Sequence, residues 1–306
     1  MGLDINGIKF LLYTRAFGVD FQATATIGRQ GLHLTRAEFK RTLNQFALYP
    51  DKAAIRSMFI ESGGFGESFF KHLGAKTVES FDVSSYEGST HIHDLNVHIP
   101  AAFKERYSLV FDGGSLEHLF NFPTALKNCM EMVRVGGHYA CVTPANNYFG
   151  HGFYQFSPEV FFGVFRPENG YELVSVLAFE DEPDAKWFEV KDPKKVQGRV
   201  RLINGVPTSM AVLARRVTHS QIYATVSQQS DYMPFWDGSR ISNTATPLGL
   251  NQSSLRTLAR GIKRYLPGFV RNWLRQRINN FRLRNSRFFT PISLHEYSQG
   301  LAKKHT

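Results

Sequence analysis

The chain has 306 residues, of which 42% are hydrophobic, and its formal net charge is +10. This length suits one large α/β domain with appendages or two small domains, and the composition is not that of a disordered chain. The sequence has no apolar run of about 18 residues, no signal-peptide pattern, and only two cysteines without metal-thiolate spacing. These features exclude a membrane span, a disulfide framework and a zinc–thiolate site, and they predict a cytoplasmic protein.

Strand and helix patterns alternate along most of the chain. Residues 1–50 are predicted to form an N-terminal helical cap, with a capping box at Thr35 and Glu38. Residues 51–220 form the predicted sheet domain. Its strands are expected at 55–60, 77–81, 90–95, 107–111 and 138–142, with helices at 67–73 and 123–133. The alternation predicts a doubly wound, mostly parallel sheet.

Two later strands, at 171–179 and 209–217, have no helical pattern between them, which predicts an antiparallel hairpin at the edge of the sheet. Residues 221–306 form a third predicted segment, with an aromatic stretch at 223–238 followed by a basic tail.

A glycine-rich turn follows the strand predicted at 55–60. It contains Gly63, Gly64 and Gly66, and Asp82 ends the next strand. Glycines allow close approach of a ligand to the backbone, a helix N-terminus offers free N–H groups, and an acid after the second strand can bind ribose hydroxyls. The G-x-G-x-x-G pattern fails because Phe69 stands at its third position. This failure disfavours a nicotinamide cofactor.

Further motifs follow at regular spacing. Asp94 ends the third predicted strand in "HIHDLN", Asp112 ends the fourth in "LVFDGGSLEHLF", and "VRVGG" precedes the fifth. From residue 54 to residue 144 the order and spacing resemble the class I S-adenosylmethionine-dependent methyltransferases. The resemblance implies a Rossmann-like, seven-stranded sheet and S-adenosylmethionine as cofactor.

The resemblance also implies roles for individual residues. Matched to the family's motifs, the residues that hold the cofactor are Glu61, Gly63, Gly64, Gly66, Asp82, Asp94 or Leu95, Asp112 and Gly113. Phe65 and Glu67 replace two glycines of the family pattern. This departure supports an alternative, a degenerate scaffold or binding protein that its basic tail docks to a membrane or a partner.

Histidines supply the candidate bases for methyl transfer, because their pKa lies near neutrality. His118 follows the fourth strand, and His151 lies with Tyr154 in the loop after the fifth. We expect these three residues at the carboxyl edge of the sheet, acting on a small-molecule or saccharide-type acceptor at oxygen. Arg29 is a candidate contact for an anionic group of the acceptor.

His91 and His93 share one strand face and could form a metal site with Asp94 or His98. Surface histidines are the commoner explanation of this spacing, because no third ligand is fixed. No metal is therefore predicted there.

The basic character of the chain belongs to its tail. Residues 255–306 contain 12 Lys and Arg but one acid, Glu296. Residues 267–284 are predicted to form an amphipathic helix with arginines opposite its apolar face. Packing on the protein or on a second subunit, contact with a membrane surface and nucleic-acid binding all remain open. Methylation of nucleic-acid bases is disfavoured, because amino-methylating enzymes of that class carry an N/D-P-P-Y type motif after the fourth strand and this chain has "DGGS" there.

Overall fold

The computed structural model describes residues 2–196, 198–225, 227–229, 267 and 283–298. The strands in these ranges are β1 (Gly2–Leu3), β2 (Ala23–Ile27), β3 (Gly31–Leu32), β4 (Thr77–Asp82), β5 (His91–Ile92), β6 (Tyr107–Gly113), β7 (Val133–Asn146), β8 (Tyr171–Glu180), β9 (Trp187–Val190), β10 (Thr208–Arg216) and β11 (Phe289–Ile292). The helices are α1 (Ile5–Thr14), α2 (Arg36–Gln45), α3 (Lys52–Arg56), α4 (Glu67–His72), α5 (Phe122–Met132), α6 (Pro158–Val164), α7 (Pro193–Val196) and α8 (Leu294–Ser298). A π-helical turn, Ser57–Glu61, continues α3, and Leu116–His118 forms a 3₁₀ turn.

Nine of the described strands form one mixed sheet in the order β11-β9-β8-β10-β7-β6-β2-β4-β5. Five neighbouring strands of this sheet pair in parallel: β5, β4, β2, β6 and β7. The remaining four, β10, β8, β9 and β11, join by antiparallel pairs. Within this sheet the parallel strands follow the 3-2-1-4-5 order of a doubly wound nucleotide-binding fold. The Rossmann-like α/β architecture is confirmed, although the sheet has two strands more than the seven predicted.

The direction of winding changes between β2 and β6. In open α/β sheets, ligands bind beyond the carboxyl ends of the strands at this point. The loops that follow β2, β4 and β6 are therefore the part of the fold in which a ligand site is expected.

Helices cover both faces of the sheet. Successive residues of a strand point to opposite faces, so Val212 and Ala214 of β10 pack with α5 and α6. Ala211 and Leu213 pack on the other face, which α1, α2, α3, α4 and α8 cover. Because β2, β4, β5, β6 and β7 run parallel, their carboxyl ends lie at the same edge of the sheet.

The first strand of the sheet is not the predicted one. Residues 55–60 are helical, because Ile55 and Met58 are each 2% exposed while Ile60 is 52% exposed, and burial at a spacing of three residues is typical of a helix. The strand is instead β2, "ATATI", whose Thr24 and Thr26 are buried although they are polar. Residues 1–50 therefore contribute both helices and the central strand of the sheet.

The other elements of the parallel sheet lie close to their predicted positions. The predicted strands at 77–81, 107–111 and 138–142 lie within β4, β6 and β7, and the predicted helices at 67–73 and 123–133 correspond to α4 and α5. The strand predicted at 90–95 is reduced to the two residues of β5. The capping box is present, with Glu38 N donating to Thr35 Oγ1 at 3.2 Å and Thr35 N donating to Glu38 Oε2 at 2.8 Å.

The two late strands pair antiparallel as predicted, from Tyr171 with Arg216 to Glu180 with Thr208. Their predicted place at the edge of the sheet is wrong, because β9 follows β8 in the chain and β9 and β11 extend the sheet beyond it. The amphipathic helix predicted at 267–284 and the aromatic stretch at 223–238 lie largely outside the described residues. Within the described part of the tail, β11 extends the sheet beside β9, and Leu294 of α8 is buried.

None of the helices in the described ranges has the length and apolar character needed to span a membrane.

Candidate functional site

The loop after β2 is Gly28-Arg29-Gln30-Gly31. Gly28 has a positive φ of 68°, and its N–H donates to the carbonyl of Phe81 in β4 at 2.7 Å. The turn thus bends across the end of the neighbouring strand, in a conformation that suits glycine. This loop occupies the place in the fold at which the sequence analysis expected residues 61–67.

Gln30 fills the space between the ends of β2 and β6. Its side-chain amide donates to the carbonyl of Ile27 at 2.8 Å. Its Oε1 lies so close to Gly113 that a Cβ on Gly113 would be 2.0 Å away, which explains why a glycine stands there. This buried oxygen accepts no hydrogen bond from any described residue. Gln30 was not predicted from the sequence, because the first strand was expected at residues 55–60.

The predicted glycine turn lies beside this loop instead of following a strand. Gly63 and Gly64 have positive φ values of 66° and 85°. Gly64 O accepts from Leu32 N at 2.7 Å, and Gly66 N donates to Gln30 O at 2.8 Å. The three glycines therefore support the segment after Gly28, and their predicted place after the first strand is wrong. Glu61 ends the π-helical turn, and its side chain lies outside the described atoms.

Arg29 is held on the β4 side of the loop. Its Nε contacts Glu67 Oε1 at 2.5 Å, its Nη1 donates to Glu87 O at 2.8 Å, and its guanidinium lies 3.8 Å from the ring centre of Phe65. Two of the three guanidinium nitrogens are thus engaged within the protein. Phe65 and Glu67, which replace glycines of the family pattern, bind Arg29 here and do not fill the loop after β2.

Asp82 ends β4, the neighbour of β2. It is half-buried, and its Oδ1 accepts from Ser84 N at 3.0 Å. Asp94 lies exposed beyond β5, where its Oδ1 accepts from Asn96 N at 2.9 Å. Leu95 is 3% exposed and belongs to the core, so only its backbone could face a ligand. Of these three predicted residues, Asp82 is placed best to meet a ligand at the ends of the strands.

The end of β6 is a buried acidic turn. Asp112 is 1% exposed; its Oδ1 accepts from Ser115 N at 2.8 Å, whereas its Oδ2 accepts from no described residue. Ser115 Oγ donates to Ile27 O at 2.6 Å and so ties this turn to the end of β2. Burial raises the pKa of Asp112 above its usual range. Gly113 and Gly114 follow, and Gly114 has a φ of 86°.

Glu117 lies in the 3₁₀ turn after β6 and is 1% exposed. Burial, and then the neighbouring charge of Asp112, raise the pKa of the Glu117 carboxyl. Its Oε2 accepts no hydrogen bond from any described residue. Within the motif "LEH", the sequence pattern predicted a role for the histidine and none for Glu117. An acid beside that histidine was the available signal.

The structure brings His118 and His151 together. Their ring centres are 5.0 Å apart, and His151 Nε2 lies 3.8 Å from Glu117 Oε1. Partial burial lowers the pKa of His118, and the neighbouring His151 lowers it further. Both rings are exposed on their outer side. Two histidines proposed separately from the sequence thus form one cluster with a buried glutamate.

Tyr154 contacts the backbone of the turn that carries Glu117 and His118. Its hydroxyl donates to the carbonyl of Phe120 at 2.7 Å, and its backbone N–H donates to Glu117 O at 3.2 Å. Its ring lies against Phe122 and Phe156. Tyr154 therefore fixes the loop that carries His151, and its hydroxyl is already engaged.

A cavity of about 200 Å³ leads inward from Glu117 and His151. Its polar lining includes Tyr148, whose hydroxyl lies 2.8 Å from both Asp181 Oδ2 and Ser209 Oγ. Asp4, at the start of α1, also lines it. The lining contains acids and hydroxyls but no Lys or Arg among the described residues. The sequence analysis missed Asp4, Tyr148 and Asp181 because they lie on three segments far apart in the chain.

His91, one of the two histidines predicted to share a strand face, contacts other side chains of the fold. His91 Nε2 lies 2.8 Å from Glu79 Oε2, and its ring packs between Phe81 and Phe103. His91 thus has a partner of its own within the structure.

No family model and no curated protein sequence matches this chain. Several solved methyltransferase structures are similar to it. The 1,6-didemethyltoxoflavin-N1-methyltransferase of Burkholderia thailandensis, solved with S-adenosylhomocysteine, is 11% identical over 69% of this chain and 77% of its own, with a TM-score of 0.37. The N-methyltransferase NodS of Bradyrhizobium japonicum is 10% identical over 70% of this chain and 97% of its own, also at 0.37.

The branched-chain polyamine synthase of Thermus thermophilus, solved with 5'-methylthioadenosine, is 13% identical, and the match covers 74% of this chain and 62% of that one, with a TM-score of 0.34. Similarity at this level does not establish an activity.

Proposed function

We propose that this chain is an S-adenosylmethionine-dependent methyltransferase. The observation that carries the proposal is the sheet order, which brings Gly28, Asp82 and Asp112 to the carboxyl ends of the first, second and fourth strands at the switch point. Nucleotide cofactors bind at this point in doubly wound sheets, with an acid after the second strand on the ribose.

The residues at this point suit a ligand of that kind. S-adenosylmethionine offers hydrogen-bond donors, namely two ribose hydroxyls and an ammonium group. The protein offers two acceptor oxygens that lack a hydrogen-bond donor. Gln30 Oε1 and Asp112 Oδ2 are both buried, and neither accepts a hydrogen bond from any described residue. Buried polar atoms normally have partners, so these oxygens favour a ligand that donates. Gly28, Gln30, Asp82 and Asp112 are the residues that would hold it.

The alternative of a degenerate scaffold loses its main support. It rested on Phe65 and Glu67 at glycine positions of the cofactor turn, but both side chains bind Arg29 beside the loop that follows β2. The loop itself keeps glycines at positions 28 and 31.

We further propose that the acceptor binds beside His118 and His151 and is methylated at oxygen. The cofactor supplies the methyl group as an electrophile, and the protein orients the acceptor and removes its proton. His118 and His151 are the candidates for that proton, because imidazole is the side-chain base closest to neutrality. The adjoining cavity of about 200 Å³ suits a small molecule or one sugar unit of a saccharide.

Arg29 is not retained as a contact for an anionic acceptor, because Glu67 and Glu87 engage its guanidinium. The acids that line the cavity favour a neutral, hydroxyl-bearing or cationic acceptor instead.

Calorimetric titration with S-adenosylhomocysteine tests the cofactor, with NAD as the comparison ligand. We expect micromolar binding of the first and none of the second. Asp82→Ala should weaken binding by about tenfold or more, because it removes charge-assisted hydrogen bonds worth about 1.5–3 kcal/mol. Asp184→Ala, an exposed acid in the loop between β8 and β9, is the matched control and should bind as the unaltered chain does. Absence of binding in the unaltered chain would make the scaffold the better explanation.

A further inference from the structure

Three side chains that can ligate a metal converge above the cavity. One ligand atom from each of Glu117, His118 and His151 lies within 4.8 Å of the others, and Glu117 Oε1 is 3.8 Å from His151 Nε2. In a tetrahedral zinc site, ligand atoms about 2.0–2.2 Å from the ion are roughly 3.4 Å from one another. The separation of Glu117 Oε1 and His151 Nε2 needs to close by about 0.4 Å and the others by at most about 1.4 Å, which rotation of the two exposed imidazoles can supply.

From this cluster we propose that Glu117, His118 and His151 bind a divalent first-row transition-metal ion such as Zn²⁺. Two imidazole nitrogens and one carboxylate oxygen suit such ions and leave coordination positions open for a water or a substrate. Imidazole is a poor ligand for Mg²⁺, which prefers oxygen.

An independent observation is the orphaned oxygen of Glu117. The residue is 1% exposed, yet its Oε2 accepts no hydrogen bond from any described residue. An unpaired buried carboxylate oxygen costs free energy, and a cation beside it would offset that cost. The acid is also fixed in place, because its backbone carbonyl accepts from Phe153 N and Tyr154 N at 2.8 and 3.2 Å.

The same hydrogen bonds fix His151 relative to Glu117. His151 lies between Gly150 and Gly152, both with positive φ, and Phe153 and Tyr154 follow directly. Contacts of this kind, which orient the ligands without touching the ion, typically change metal affinity by about 10–100-fold when they are lost. The two loops are thus held in register by bonds that do not depend on a metal.

The metal site stands independently of the methyl-transfer proposal, but it would change one part of it. An imidazole that ligates a metal cannot serve as a base at the same nitrogen. A metal ion would instead lower the pKa of an acceptor hydroxyl bound at its open position, so that the proton is released to water. The two roles of the histidine pair are exclusive, and metal titration decides between them.

The experiment uses the full chain, freed of tags and treated with a chelator. Zn²⁺ is titrated calorimetrically, and Co²⁺ is followed by its visible absorption, which reports coordination by protein ligands. We expect one equivalent to bind with micromolar or tighter affinity. His118→Ala, His151→Ala and Glu117→Gln should each weaken binding by about tenfold or more.

His91→Ala is the matched control, since His91 pairs with Glu79 away from the cluster, and its affinity should equal that of the unaltered chain. Circular dichroism of each variant shows that loss of binding is not loss of fold. Absence of saturable binding in the unaltered chain, or binding that survives all three substitutions, would overturn the metal site. Neither result bears on the titration with S-adenosylhomocysteine, so the two proposals fail separately.

Discussion

Two adjacent arginines at the end of β10 differ in what they contact. Arg216 is buried; its Nη1 donates to Val133 O at 2.6 Å and its Nη2 to Glu105 Oε1 at 2.7 Å. Its Nη1 also lies within hydrogen-bond distance of Glu131 O, so one side chain satisfies carbonyls at the end of α5. Arg215 points to the other face and is exposed.

Arg216→Met should therefore lower the free energy of unfolding by about 2–3 kcal/mol, since it removes the buried donor of Val133 O and breaks the ion pair with Glu105. Arg215→Met should change it by less than about 0.5 kcal/mol. Urea unfolding at pH 8 measures both. Equal losses of unfolding free energy in the two variants would show that the buried contacts of Arg216 contribute no stability beyond that of a positive charge.

His138 gives the protein a dependence on pH far from the candidate site. Burial, together with the charge of Arg215 and against the opposing charge of Asp20, lowers the pKa of His138 to about 4. The folded state thus favours the neutral ring. The contribution of the neutral ring to the free energy of unfolding is complete above the ordinary histidine pKa of about 6.5, and it is lost as the pH falls toward 4. Between pH 7.5 and pH 5 the titration of His138 should lower the free energy of unfolding by about 2 kcal/mol.

His138→Gln, which cannot titrate, should show a correspondingly smaller loss of stability over the same interval. Unfolding midpoints in urea at pH 7.5 and pH 5 provide the measurement. If the unaltered chain and the variant lose stability in parallel, His138 is not the group responsible.

At the scale of the element, the loop after β7 depends on one glycine. Gly152 has a φ of 70°, and a Cβ there would lie 2.8 Å from Glu117 O and 3.1 Å from His118 Nδ1. Gly152→Ala should displace the loop, break the hydrogen bond from Phe153, and weaken Zn²⁺ binding by about tenfold. Its cost in stability should be about 1–2 kcal/mol or more.

Gly150→Ala is the control that separates the steric overlap of the new Cβ with Glu117 from the strain of a positive φ. Gly150 has a φ of 85° but open space where a Cβ would be, so its variant carries the strain alone. We expect it to lose a similar free energy of unfolding while keeping more of its affinity for Zn²⁺. If both variants bind Zn²⁺ equally well, contact with Glu117 does not position the loop.

The elements also show where sequence patterns suffice and where they fail. Strands rich in large apolar residues, such as β6, could be located from the sequence because their burial shows in their composition. β2 could not, because small and polar residues fill a strand that is covered on both faces, and Thr24 satisfies its hydroxyl by donating to Phe21 O at 2.8 Å. The apolar run at 55–60 was assigned to a strand, although Ile55 and Met58 have helical spacing.

On the scale of the whole molecule, the order of strands determines which residues meet. His118 and His151 could be proposed from the sequence because each follows a predicted parallel strand, and adjacent parallel strands end at the same edge. Gln30, Asp4 and Asp181 could not, because their proximity depends on how β2, α1 and β8 are arranged. The place of Asp82 at this edge of the sheet could be predicted despite the error in the first strand, because its own strand was correctly predicted.

The central position of β2 has a consequence for biosynthesis. Both its neighbours, β4 and β6, come later in the chain, and Ala25 pairs with Val110, 85 residues further on. At about 5–20 residues per second, a ribosome needs roughly 4–17 s to make that stretch. Until β4 is made the strand has no partner in the sheet, and strongly apolar strands in that state aggregate. Its sequence of alternating alanine and threonine lowers that hazard while the rest of the sheet is made.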